Sequence, residues 1–180
     1  MSGLERPGPD ERGEYWARYI ELVPDGDVLE TLRDQLGETL ALLQEVPRER
    51  ETYRYEPGKW SIRQVVGHLL DAERVFAHRA LTIARSDDAD LPGMDQDEWA
   101  ERSNAGSRSL DDLAAEWAGI RRANLHMFAT LGPEAGMRRG RASGHEFTVR
   151  SFPWIIAGHE LWHRQLLERD YLGRSEGETR

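Results

Sequence analysis

Four long stretches of this 180-residue chain carry apolar residues at three- and four-residue spacing, each opened by a capping residue. This pattern constrains the fold most, because a helix with one apolar stripe must bury that stripe against another element. Asp27 caps the first stretch, which places Val28, Leu32, Leu36, Leu40, Leu43 and Val46 in register before Pro47 ends it. A turn at Glu56-Pro57-Gly58-Lys59 precedes the second, which Ser61 caps and which runs to Arg85. Ser109 and Asp112 open the third in the manner of a capping box, with Leu113, Trp117, Ile120, Phe128 and Leu131 in phase and Gly132-Pro133 at its end. Ser151 caps the fourth, with Pro153 tolerated in its first turn.

Shorter helices are expected over residues 11–22 and 95–104, with a polar loop from Asp87 to Gly93. Residues 134–150 show no helical period, and His145–Val149 reads as a short extended segment. The expected fold class is all-α: a four-helix bundle with short additional helices, in which metal sites are built from inward side chains on facing helices. The long link between the second and third helices leaves the order of the bundle open. The expected organisation is an N-terminal extension at 1–24, the bundle at 25–172 and a flexible tail at 173–180, with residues 1–10 frayed as well.

The chain has no cysteine, which excludes disulfides, cysteine-ligated zinc and a thiol nucleophile supplied by the protein itself. Any sulfur chemistry must arrive with a co-substrate. Its net charge is −9, and its densest basic stretch is only Met137–Arg141. Nucleic-acid binding draws on a concentrated basic surface, so no nucleic-acid partner is expected. No apolar leader and no run of roughly 20 apolar residues is seen, so a soluble, cytoplasmic protein without a membrane partner is expected.

Three histidines fall where polar residues are costly. His159 and His163 sit four apart in the last apolar segment, and His68 lies in the second. On an ideal wheel with Ile155 at zero, His159 falls near 40° and His163 near 80°, roughly one turn apart inside the stripe of Ile156, Trp162, Leu166 and Leu167. His68 falls at the edge of the arc formed by Val65, Val66, Leu69, Ala72, Val75 and Phe76. Burying each imidazole unpaired would cost about 1–3 kcal/mol, so each must be hydrogen-bonded or coordinated. If His68 faces the other two, the set matches a catalytic-type divalent site of three protein ligands and one open position.

Residues 159–163 also read His-Glu-Leu-Trp-His, the zinc-protease pattern. A peptidase is disfavoured, because no histidine follows His163 and no strand precedes the motif to hold a peptide. Glu160, at the edge of the stripe, is a candidate general base or a partner to a ligand. His78 and His126 read as surface or structural residues, while His145, in the glycine-rich loop, and Arg150 are candidates for orienting an anionic substrate.

Gly58–Glu73 (GKWSIRQVVGHLLDAE) and Phe147–Leu167 (FTVRSFPWIIAGHELWHRQLL) together resemble the DinB superfamily, over roughly residues 25–172. The resemblance implies a four-helix bundle in which His68, His159 and His163 bind a divalent metal, often zinc or nickel. It also implies transferase or isomerase chemistry with a low-molecular-weight thiol such as bacillithiol or mycothiol. Three readings follow: a metal-dependent transferase acting on a thiol and a small-molecule substrate, a metal-dependent hydrolase, and a non-catalytic metal-binding bundle working through a partner at Tyr15, Trp16 and Tyr19. A homodimer is an expectation from the broad apolar surface of such bundles.

Overall fold

The computed structural model describes residues 4–174. Four long helices form the bundle: α2 (Val28–Gln44), α3 (Ile62–Arg85), α5 (Leu110–Ala129) and α7 (Ser151–Leu166), the last continuing through a π turn at Leu167–Tyr171. Short helices α1 (Ala17–Ile20), α4 (Gln96–Arg102) and α6 (Pro133–Gly136) fill the links. No described helix is long and apolar enough to cross a membrane.

The helix starts follow local chemistry. Asp27 accepts from the Leu29 and Glu30 amides, and Ser61 and Gln64 close a reciprocal capping box at α3. Asp95 and Ser109 cap α4 and α5 in the same way. α7 differs from expectation. Its first residue is Ser151 itself, whose hydroxyl donates to the Thr148 carbonyl at 2.7 Å, so Ser151 ties the helix to the preceding strand and does not cap it.

In the bundle α2 touches α5 and α7, and α3 touches the same two helices. The successive helices α2 and α3 therefore lie on one diagonal. The 17-residue connection over 45–61 makes that crossing feasible, as short loops would not. The consequence for function is that α3 and α7, which carry the three histidines, are direct neighbours.

A small sheet covers one end. Strands β2 (Arg139–Ala142) and β3 (His145–Thr148) form a hairpin, and β1 (Asp90–Leu91) pairs parallel to β2. The turn residues Ser143 and Gly144 both have positive φ, 52° and 78°, the backbone required by a two-residue hairpin turn. The extended segment at His145–Val149 is thus one arm of a hairpin, and the loop at Asp87–Gly93 contributes the third strand.

The N-terminal segment is packed from Leu4 onward, which corrects the expectation of fraying over 4–10. Leu4 is buried, and its carbonyl accepts from Trp154 Nε1 at 2.8 Å. Arg6 stacks over the Trp154 ring at 4.4 Å and donates to the Ile20 and Val23 carbonyls. The expected tail lies outside the described residues beyond Arg174.

Gly158 is the contact point between α1 and α7, since a Cβ there would overlap the Tyr19 carbonyl. Gly158→Ala should lower stability by about 1–3 kcal/mol, because rigid backbone cannot yield to the extra methyl and the gain in helix propensity is smaller. Chemical denaturation measures the loss, and limited proteolysis should show cleavage near Arg18 as α1 lifts.

Candidate metal centre

Successive helical turns place His159 and His163 on the face of α7 that meets α3, where His68 projects towards them. One ring nitrogen from each lies within 4.8 Å of the other two. The His68 and His159 Nε2 atoms are 3.1 Å apart, and the ring centroids of His159 and His163 are separated by 4.5 Å. A tetrahedral cation with nitrogen ligands at 2.0–2.1 Å sets its ligands about 3.3 Å apart, close to this spacing.

All three imidazoles are buried. Burial lowers the His68 pKa to about 4 and, with His68 beside it, the His163 pKa to about 3. Burial also takes His159 well below its ordinary value, with the other two histidines and Arg18 adding to the effect. The rings are therefore neutral near pH 7, the form that ligates metal. His163 Nδ1 is buried without a hydrogen-bond partner. A sealed, unpaired ring nitrogen among two other neutral imidazoles fits a site for a divalent cation.

Aromatic side chains wall the cluster. Trp60 packs on His68 at 4.8 Å between ring centroids, while Tyr19 and Phe76 meet His159 edge-on at 5.3 and 5.7 Å. His68 and His159 open onto a cavity of about 330 Å³, also bordered by Tyr15, Trp16, Arg79 and His145. Tyr15, Trp16 and Tyr19 thus line the same cavity as His68 and His159, and Tyr19 touches the His159 ring.

Glu160 occupies a different environment. Thr39 Oγ1 donates to its Oε1 at 2.6 Å, and Arg121 Nη2 donates to its Oε2 at 2.7 Å. Arg121, 1% exposed, also holds Glu73 through Nε and Nη2 at 2.8 Å and donates from Nη1 to the Leu32 carbonyl. Trp117 Nε1 and Asn124 Nδ2 also donate to Glu73, at 2.6 and 3.2 Å. One guanidinium on α5 thereby joins α2, α3 and α7. Burial raises the Glu160 pKa, with Arg121 and Thr39 pulling against it. Glu160 does not border the histidine cavity.

Arg150 is also engaged elsewhere. It pairs with Glu11 at 2.7 Å and Glu5 at 3.2 Å, anchoring the N-terminal segment. His145 borders the cavity, and His78 and His126 are exposed. The structure adds Glu73, Arg79 and Arg121 as buried ionisable residues around the site.

In chelated protein, stability should fall as the pH drops from about 6.5 towards 4. The unfolded imidazoles take up protons near pH 6.5, whereas the folded ones resist until the lower values above, so acid favours the unfolded chain. Above that window these groups add no slope. Urea midpoints across the range test this, and a His159→Asn variant should show a shallower dependence.

Residues 31–167 match the sequence profile of the DinB superfamily, and the chain belongs to that family. Over 73 residues it is 34% identical to the Oceanobacillus iheyensis protein named "Putative metal-dependent hydrolase OB0413", a match covering 40% of this chain and 40% of that one. The matched stretch therefore spans less than half of that relative. The fold resembles that of YfiT from Bacillus subtilis, with TM-score 0.65 and 18% identity over 95% of both chains. YfiT is described as a probable metal-dependent hydrolase with an unusual four-helix bundle topology.

Proposed function

We propose that this protein is a metal-dependent hydrolase of small molecules, with His68, His159 and His163 as the metal ligands. The observation that carries the reading is the convergence of three neutral, buried ring nitrogens at the side of an open cavity. The names given to OB0413 and YfiT support it. A divalent cation held there supplies Lewis acidity, polarising a substrate carbonyl or acidifying a small nucleophile.

The chain's own residues define what surrounds that chemistry. Tyr19, Trp60 and Phe76 exclude bulk water from the imidazoles and fix their planes. The Arg121 network locks the rotation of α7 through Glu160, next to His159. On this reading Glu160 is a positioning residue. His145 is the remaining basic group at the cavity that could accept a proton.

A second reading, a transferase using a low-molecular-weight thiol, is favoured by one observation: no Asp or Glu among the described residues borders the cavity. Water activation commonly draws on such a base, whereas a coordinating thiol is deprotonated by the metal alone.

Protein stripped and reloaded with zinc, nickel or manganese should hydrolyse members of a panel of small esters and amides. Turnover should vanish in His163→Ala while the fold persists. Turnover that survives chelation or the substitution would overturn both enzymatic readings. An absolute requirement for added thiol would select the transferase.

A further inference from the structure

The chain carries nine surplus negative charges, yet among the described residues no carboxylate borders the histidine cavity. Among the described residues, the one permanently charged side chain there is Arg79. It is 4% exposed and has no acidic partner among the described residues. Buried arginines are ordinarily paired, as Arg121 is in this same protein with two carboxylates. Arg79 has instead only neutral acceptors on one nitrogen: Nη2 donates to the Pro92 carbonyl at 2.8 Å and to Ser143 Oγ at 2.9 Å. The Nε–H and both Nη1–H groups have no acceptor among the described residues. Burial lowers the pKa of the group, with no neighbouring charge pulling against it among the described residues.

The position is informative too. Arg79 lies 11 residues after His68 on α3, which returns it to within about 20° of the same helical face and roughly 16 Å further along the axis. Ala72 and Phe76 lie between them and also border the cavity. The cavity is therefore bipolar, with a nucleophile-activating end at the histidines, an apolar middle and a fixed cation at the far end.

We infer that Arg79 receives the oxyanion end, a carboxylate or phosphate, of an elongated substrate whose reacting end lies at His68, His159 and His163. The inference deepens the proposed function and rests on it for the identity of the reacting end. Arg79 is a specificity-determining residue in this account, clamped by Ser143 from the hairpin turn and Pro92 from the loop before α4.

The test uses cobalt-loaded protein and paired probes, 8-mercaptooctanoate, 8-mercaptooctyl phosphate and 8-mercaptooctanol, with binding read from the thiolate–cobalt charge-transfer band. The acid or the phosphate should bind about tenfold or more tightly than the alcohol, the size expected of a charge-assisted contact in a sheltered site. Whichever anion shows the larger ratio identifies the headgroup. Arg79→Gln should bring that ratio to near one and leave the alcohol's affinity unchanged. A wild-type ratio near one, with the band present, overturns the inference and leaves the metal site standing.

If no band develops because no metal binds, the proposed function fails, and octanoate, octyl phosphate and octanol then test Arg79 alone by calorimetry. An anion preference abolished by Arg79→Gln sustains the oxyanion site, and its absence overturns it. Should Arg79→Gln not fold, butanedione modification of wild-type Arg79, followed by peptide mass spectrometry, decides the matter. Protection by the anionic probe and not by the alcohol supports the inference, and equal protection by both refutes it.

Discussion

Replacing Arg121 with methionine should destabilise the protein by about 3–5 kcal/mol at neutral pH, because it removes one partner of a buried ion network and keeps the others. Glu73 and Glu160 would then share the bundle interior without the guanidinium that bridges them at 2.7–2.8 Å. The loss should be larger at pH 8 than at pH 5. A carboxyl whose folded pKa is raised takes up a proton more readily folded than unfolded, so acid offsets part of the damage. Adding Glu73→Gln and Glu160→Gln to Arg121→Met should recover much of the stability, since neutral amides cost less to bury than unpaired carboxylates. Urea unfolding of the single and triple variants at the two pH values measures both effects. A loss under about 1 kcal/mol would mean that the network does not brace the four helices.

Removing any one of His68, His159 or His163 should weaken metal binding by about a hundredfold or more. A four-ligand zinc site is worth roughly 10–16 kcal/mol, so each ligand carries a substantial share. The stability response should follow. Saturating metal stabilises wild-type protein through mass action, by about 4 kcal/mol at a thousand times the dissociation constant, and so raises its melting temperature. The three alanine variants should lose most of that shift. His78→Ala and His126→Ala, both at exposed positions, should retain it. His145→Ala should bind metal normally and alter only substrate handling, because it borders the cavity and is not one of the clustered imidazoles.

The four long helices were legible because their apolar periods are local signals, and three of them carry a cap as well. Asp27, Ser61 and Ser109 announce the starts of α2, α3 and α5 through side-chain oxygens that reach amides two or three residues on, whereas α7 has no side-chain cap. The ring order of the bundle was not legible, since it depends on contacts between residues far apart in the chain. Half of the hairpin was missed for a physical reason. Arg139-Gly140-Arg141 has no β-branched or aromatic residue, and its strand state is imposed by pairing with β1 and with the segment that buries Phe147 and Thr148.

The histidine cluster was readable because three imidazoles stood inside apolar stripes. The same test applied to charged residues would have found more. Arg121 lies four after Trp117 and seven before Phe128, on the buried face of α5. Glu73 lies four after Leu69, and Arg79 three after Phe76. Each is a charge at a core position, a signal as strong as a histidine there. What the wheel could not show is the pairing. It placed Glu160 beside the stripe but could not reveal that Thr39 and Arg121 take both of its oxygens.

X-ray absorption spectroscopy of the zinc-loaded, tag-free protein tests the central claim most directly. The account predicts one zinc per chain with three imidazole nitrogens at about 2.0–2.1 Å and a fourth light-atom ligand from solvent, and a fit that falls to two imidazoles in His68→Ala. A wild-type spectrum with two imidazoles or fewer, or one unchanged by His68→Ala, would contradict it.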